Sequence, residues 1–296
     1  VATDFTLIDG GLSTAIEAAG GDVSGRLWTA ALAVTDPDVL VAAHRAFVEA
    51  GSEVITTASY QCDGNAFTTL GLTTVEGWRI LAAMTGLARR ACEGTSTRVA
   101  ASVGPFGASL ANGSEYTGDY GVEWSVVEKY HREKLKVLVS SGPDLVAVET
   151  IPLAVEARLI ADLLVELEAP PAWFSFGCAS ADRTYGGDPL ELAVREVSNY
   201  PNLVALGVNC TAPSVVGDVL RTMNREVGDR PLIAYPNHGR SWDSSSRRWV
   251  GAESAFVSQE VIDEWSSLGA RFIGGCCGVG PETIARIAGH RHRPTR

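Results

Sequence analysis

The chain has 296 residues, 46% of them hydrophobic and 20% charged, a balance that supports a large core and excludes a disordered polymer. Its 24 Lys and Arg against 35 Asp and Glu leave a formal net charge of −11, which disfavours nucleic acid and anionic membranes as partners. The apolar run Asp144-Leu145-Val146-Ala147-Val148 stops well short of a membrane span. Val1-Ala2-Thr3-Asp4 opens without the basic and apolar stretches of a secretion signal, so a soluble cytoplasmic protein is expected.

Short β-branched runs that end in small or polar residues recur along the chain, each followed by a helical stretch. The first is Thr6–Gly11, closing on Asp9-Gly10-Gly11. The next helix has a marked start at Asp36-Pro37, an N-cap before a first-position proline, and a stop at Gly51. Within it Val39, Ala43, Phe47 and Ala50 share one face at helical spacing. The second strand is Glu53–Tyr60 and the third Arg98–Pro105. The polar stretch Gly107–Gly121 that follows suits a substrate-covering loop.

Gly142 stops a helix ahead of the fourth strand, Asp144–Ile151, which carries Glu149 near its end, and Ala172–Cys178 is the fifth. Asp188-Pro189 repeats the helix-start signal before the sixth strand, Leu203–Cys210. The seventh, Pro231–Asn237, runs into a second polar stretch, His238–Gly251, and Gly269 precedes the eighth, Arg271–Cys276. Dividing 296 residues by eight gives 37 per unit, enough for a strand, a helix and two connections. The pattern predicts an α/β fold, a (β/α)8 TIM barrel formed as one domain over 1–296, in preference to an open doubly wound sheet.

Six cysteines in a chain this large, with no secretion signal visible, need not form disulfides. The sharpest feature is Gly274-Gly275-Cys276-Cys277-Gly278. Neighbouring residues on a regular strand point to opposite faces, but flanking glycines let the chain leave strand geometry and turn both sulfurs inward. Cys210 closes the sixth strand, and in a barrel the strand ends converge on one rim. Three thiolates with an open fourth position describe a catalytic Zn²⁺ site, with Cys210, Cys276 and Cys277 as ligands. The plainer alternative is that Cys276 and Cys277 are core residues or a vicinal disulfide. Cys62, Cys92 and Cys178 have no such setting and read as packing thiols.

Asp9 and Glu149 fall at strand ends on the same rim. Their carboxylates suit an ammonium group, and the N–H groups of Gly10 and Gly11 suit a carboxylate, so together they could hold an amino acid. Tyr60, Asn209 and Asn237 also sit at strand ends, where each either completes the pocket or makes a structural hydrogen bond. No phosphate-binding loop, histidine-pair metal site or serine nucleophile elbow is present.

Seven segments, in order, resemble the homocysteine S-methyltransferases. They are Asp9-Gly10-Gly11, Thr57-Ala58-Ser59-Tyr60-Gln61, Ser102-Val103-Gly104-Pro105, Gly113-Ser114-Glu115-Tyr116-Thr117-Gly118, Glu149-Thr150-Ile151-Pro152, Gly207-Val208-Asn209-Cys210 and Gly274-Gly275-Cys276-Cys277. The Tyr60-Gln61 and Glu115-Tyr116 segments are most similar to the branch that uses S-methylmethionine. The resemblance implies zinc on Cys210, Cys276 and Cys277, with Asp9 and Glu149 holding the homocysteine amino group. It also implies Gly10 and Gly11 along the carboxylate, and Tyr60 and Asn209 near the metal. One departure stands out: the family often carries Pro-Asn-Ser-Gly-Glu after the seventh strand, whereas this chain reads Pro236-Asn237-His238-Gly239-Arg240.

The partners this implies are small molecules: homocysteine and a sulfonium donor, S-methylmethionine or S-adenosylmethionine. Two rivals fit the residues less well. A zinc barrel hydrolase would more often use histidine and carboxylate ligands, and a thiol redox or metal-sensing protein would cycle a Cys276–Cys277 disulfide.

Overall fold

The structure is a computed structural model and describes residues 4–239, 241–243, 248–250 and 258–291. Eight strands, Thr6–Leu7, Val54–Thr56, Arg98–Val103, Leu145–Ile151, Ala172–Phe176, Leu203–Asn209, Leu232–Tyr235 and Ala270–Ile273, form one parallel sheet in which neighbours follow chain order. The first strand pairs with the eighth, Thr6 opposite Phe272. It meets the second through the Ile8–Val54 bridge and through backbone bonds from Glu53 N–H to Leu7 O (2.8 Å) and from Asp9 N–H to Val54 O (3.1 Å), which bring the sheet round into a barrel. All eight expected strands are present. Several ladders stop earlier than the sequence suggests, because the polar and glycine residues at their ends leave the sheet to build the rim.

Alternation along the strands separates two cores. Ile8, Val54, Ala100, Leu145, Ala147, Trp173, Ala205, Ile233 and Tyr235 fill the barrel interior. Three alanines there leave space that Trp173 occupies, its Nε1–H donating to the Tyr235 hydroxyl at 2.9 Å. The opposite strand faces, including Val146, Val148, Phe174 and Val208, pack under the outer helices with Phe47, Leu81, Leu135, Ile160 and Val219.

Helix signals behave largely as read. Asp36 caps Pro37–Glu49 by accepting from Val39 N–H, and Ala43 and Phe47 on its inner face are buried. Asp188 is the exception. The helix after it starts at Leu190, and the Asp188 carboxylate instead accepts from Ala154 N–H at 2.7 Å, capping the preceding helix Ala154–Glu166. The residue type indicated a cap but not which helix it serves.

The stretch Gly107–Gly121 is more ordered than a plain loop. It takes in most of a short helix, Phe106–Leu110, and a 3-10 turn at Ser114–Tyr116. The second polar stretch contains a hairpin, Ser241–Asp243 with Arg248–Val250. Arg240, residues 244–247 and residue 251 of that stretch lie outside the described residues. Among the described residues no helix is long and apolar enough to cross a membrane.

Candidate metal centre and acidic pocket

The eighth strand ends at Ile273, and Gly274 and Gly275 carry the chain off the ladder. Cys276 N–H then bonds Pro236 O at 2.7 Å, and Gly278, at φ +77°, completes the turn. A side chain at Gly278 would be disfavoured by that φ and would also run into the His238 ring. The sixth strand meets this turn from across the rim. Cys210 Sγ lies 3.6 Å from Cys277 Sγ, Cys276 Sγ lies 3.9 Å from Cys277 Sγ, and all three sulfurs fall within 4.8 Å of one another.

Cys210 sits at φ +49° and Thr150, at the end of the fourth strand, at φ +60°. Both are left-handed non-glycine residues, and for β-branched Thr150 the conformation is costly unless its surroundings fix it. Asn209 does this for Thr150: its Oδ1 accepts from Thr150 N–H and its Nδ2 donates to Thr150 Oγ1, both at 2.7 Å. Cys210 O accepts from Asn237 Nδ2 at 3.2 Å and from the Tyr185 hydroxyl at 3.1 Å. Asn237 Oδ1 in turn takes Gly239 N–H at 2.8 Å. Both asparagines therefore hold rim backbone, and Asn209 Nδ2 also comes within 4.0 Å of Cys276 Sγ.

The electrostatics of the thiols point to a cation. Sulfhydryl donation from Cys276 and then Cys277 holds the Cys210 thiol well below its ordinary range, while hydrogen bonding to Cys210, with burial and the Cys210 charge behind it, pushes Cys276 and Cys277 up. One thiolate forms readily and further ionisation is opposed, so a bound cation would be needed to bring all three to the thiolate state. The donor set, three soft sulfurs converging from two strand ends, fits zinc.

The acidic pair lies beside the cluster. Asp9 is 2% exposed and its Oδ2 accepts from Thr56 N–H (2.7 Å) and Thr56 Oγ1 (3.0 Å). Glu149 is 8% exposed and takes the Ser102 hydroxyl. Burial pushes the Asp9 carboxyl up to about 8, and the charge of Glu149 adds to the rise. Burial likewise pushes Glu149 up to about 7. Lys134 lowers Glu149 in part, but among the described residues neither carboxylate forms an ion pair, and two such buried acids suit an ammonium ligand.

Gly11 packs directly against Cys276 O, where a Cβ would lie 2.7 Å away, so this approach needs glycine. Its own N–H donates to Val279 O at 2.9 Å, so what Gly11 brings is closeness and not that N–H. Gly10 lies against Val279 O and the Phe47 ring. Tyr60 is fixed through its carbonyl, which accepts from the buried Lys134 Nζ at 2.7 Å, while its ring stands edge-on to Trp28 with centroids 6.3 Å apart. Burial pushes the Lys134 ammonium down to about 8. Cys62, Cys92 and Cys178 are buried, unpaired and away from the cluster, as packing thiols should be.

Residue-type reasoning singled out Gly107–Gly121 as a substrate-covering loop but assigned no residue within it. The Tyr116 hydroxyl is 3.6 Å from Cys210 Sγ, and its ring stands edge-on to Tyr185 at 5.4 Å. Glu115, its chain neighbour, is half-buried, with its Oε2 closed off from solvent. The available signal was the Gly113–Gly118 segment, which the resemblance noted as a unit without assigning roles within it.

The sequence profile of the homocysteine S-methyltransferases matches residues 6–290. The chain is 37% identical over 303 residues to homocysteine S-methyltransferase 4 of Zea mays, covering 95% of this chain and 88% of the relative. It is 34% identical over 293 residues to the Escherichia coli (strain K12) homocysteine S-methyltransferase, covering 96% and 94%. The fold overlays the metallated form of the homocysteine methyltransferase MmuM from Escherichia coli with a TM-score of 0.85 at 34% identity, covering 97% of this chain and 96% of that one. The apo form of the same protein gives 0.76 at 29% identity, with the same coverage. Profile, relatives and barrel agree over nearly the whole length, so the chain belongs to the homocysteine S-methyltransferase family and is a homocysteine methyltransferase.

Proposed function

We propose that the chain methylates homocysteine with a sulfonium donor, S-methylmethionine in preference to S-adenosylmethionine, at a zinc site formed by Cys210, Cys276 and Cys277. The observation that carries this reading is the convergence of three sulfurs within 4.8 Å of one another at one barrel rim. The overlaid Escherichia coli relative is known in a metallated form, which supports it. Zinc bound there would hold an added thiol as its thiolate at neutral pH, where a free thiol of pKa about 8.5 is mostly protonated.

The chain's own residues do the positioning. Asp9 and Glu149 take the homocysteine ammonium, with Gly10 beside its carboxylate, which aims the acceptor sulfur at the cysteine cluster. Tyr60 borders that pocket, and Asn209 and Asn237 keep the strained ends of the fourth and sixth strands in place. In the reaction the acceptor thiol gives up its proton to solvent and its sulfur attacks the donor methyl carbon. The carbon–sulfur bond of the sulfonium breaks and its electron pair stays on the donor sulfur. Both products from S-methylmethionine are methionine. No general base is required, and alignment of the two substrates supplies much of the rate. Six unpaired thiols suit a reducing compartment, which supports a cytoplasmic location.

The test is methionine formation by reduced, zinc-loaded protein given homocysteine with methyl-labelled S-methylmethionine or S-adenosylmethionine in parallel. Label should appear in methionine faster from S-methylmethionine, and chelation should abolish it. Product that forms equally well after chelation would refute the metal site, and a faster S-adenosylmethionine reaction would reverse the donor order.

A further inference from the structure

Asp9 and Glu149 each have polar partners in the fold, Thr56 and Ser102. Glu115 differs in one oxygen: backbone groups of Glu115 itself and of Gly113 bond its carboxylate, but one side stays open. Its Oε2 is buried and finds no hydrogen-bond partner among the described residues, and no Lys, Arg or His there forms an ion pair with it. A carboxylate oxygen left in that state is costly unless something absent from the free protein completes it. Burial pushes this carboxyl up to about 7, with the charge on Cys210 adding to the rise.

Its surroundings say what would complete it. Glu115 shares the turn Ser114–Tyr116 with Tyr116, whose hydroxyl lies 3.6 Å from Cys210 Sγ, so this turn stands on the sulfur side of the rim; Tyr60 and Tyr116 both sense the Glu115 charge, in keeping with that placement. Tyr116 touches Cys210 Sγ and stands against Tyr185, giving aromatic surface next to the same sulfurs. Aromatic rings beside one carboxylate oxygen that lacks a partner form a receptor for a compact, weakly hydrated cation.

The turn that carries Glu115 is also held firmly. Glu156, fully buried on the helix Ala154–Glu166, accepts from Phe106 N–H at 2.7 Å and from the Tyr120 hydroxyl, tying down both ends of the loop. His131 Nε2 braces the same carboxylate at 2.8 Å. A carboxylate oxygen without a partner would turn to water on a loose loop; here Oε2 stays closed off from it.

We propose that Glu115, with the rings of Tyr60, Tyr116 and Tyr185, receives the positive charge of the sulfonium methyl donor and so determines that this site takes a cationic donor. The assignment rests on the methyl-transfer reading above. It separates the two substrates: the strand-end acids serve the acceptor's ammonium, and the loop acid serves the donor's cation.

The experiment compares wild type with Glu115→Gln and Glu115→Asp in the zinc-loaded full chain. Calorimetry would give Kd for S-methylmethionine and for methionine, which has the same skeleton without the sulfonium charge, and steady-state kinetics would give KM for each substrate. Glu115→Gln should weaken S-methylmethionine at least about tenfold and leave methionine and the homocysteine KM within about twofold. Glu115→Asp, which keeps the charge, should restore part of the loss. Equal weakening of S-methylmethionine and methionine, or no change in either, would overturn the role of Glu115. If Glu115→Gln does not fold, wild type that binds methionine as tightly as S-methylmethionine overturns it as well. A wild type that makes no methionine from any donor refutes the methyl-transfer reading instead, and the binding comparison still decides whether Glu115 selects a cation.

Discussion

The rim has two halves built on different physical terms. On the strand side, Asp9, Glu149, Cys210, Cys276 and Cys277 stand at the ends of hydrogen-bonded strands, and backbone or clamping asparagines fix their positions. On the loop side, Glu115 and Tyr116 stand on a short turn whose placement depends on one buried carboxylate, Glu156. A site on strand ends is precise because the barrel is rigid, whereas a site on a loop is only as precise as the side chains that anchor it. Damage to the strand half should therefore remove chemistry, and damage to the loop half should leave the metal site intact while blurring donor binding.

The largest effect should follow Cys210→Ser. Losing one of three sulfurs should abolish stoichiometric zinc binding and lower turnover about a thousandfold, a loss of about 4 kcal/mol, read by metal analysis and initial rates. Retention of zinc with full activity would break the strand half of the comparison. Next comes Glu149→Gln, which removes a charged partner for the substrate ammonium. Its homocysteine KM should rise about thirtyfold, with donor KM nearly unchanged.

Glu156→Gln tests the loop half. It keeps the shape but weakens the bonds to Phe106 N–H, Tyr120 and His131, so the protein should lose about 2 kcal/mol of stability by denaturant unfolding. Zinc content should stay the same and donor KM should rise several-fold. If zinc were lost with it, the two halves would not be separable.

The last prediction concerns the sign of a pH dependence. Asp9 carries a folded-state pKa raised to about 8 from an ordinary 3.8, so between those values the folded protein holds a proton that the unfolded chain has released. Stability of the metal-free protein should therefore fall as pH rises from about 4 to about 8 and level off beyond, relative to Asp9→Asn, which lacks this titration. Matched urea titrations of the two proteins check the sign. A gap that widens in the opposite direction would show that Asp9 is stabilised as a carboxylate.

Much of the strand half was legible from sequence because its signals are local. A β-branched run ending in Asp-Gly-Gly or Asn-Cys reads as strand plus rim, and Gly274-Gly275-Cys276-Cys277-Gly278 announces a turn that needs both sulfurs. The loop half depends on distance. Nothing near Glu156 in the chain shows that it will anchor Phe106, 50 residues earlier, and Asp188 looks like the cap of its own helix although it serves Ala154. Asn209 and Asn237 show the same limit: the sequence located them at strand ends, but only the fold shows their amides spent on Thr150, Cys210 and Gly239. Short-range pattern identifies residue types at a rim, and long-range pairing decides which of them face a ligand.

The most direct test of the central claim is X-ray absorption at the zinc edge of the metal-loaded protein, with and without homocysteine. The account expects three protein sulfurs around the metal, from Cys210, Cys276 and Cys277, and one further sulfur when homocysteine is added. A metal shell of nitrogen and oxygen ligands, or a sulfur count that homocysteine does not change, would contradict it.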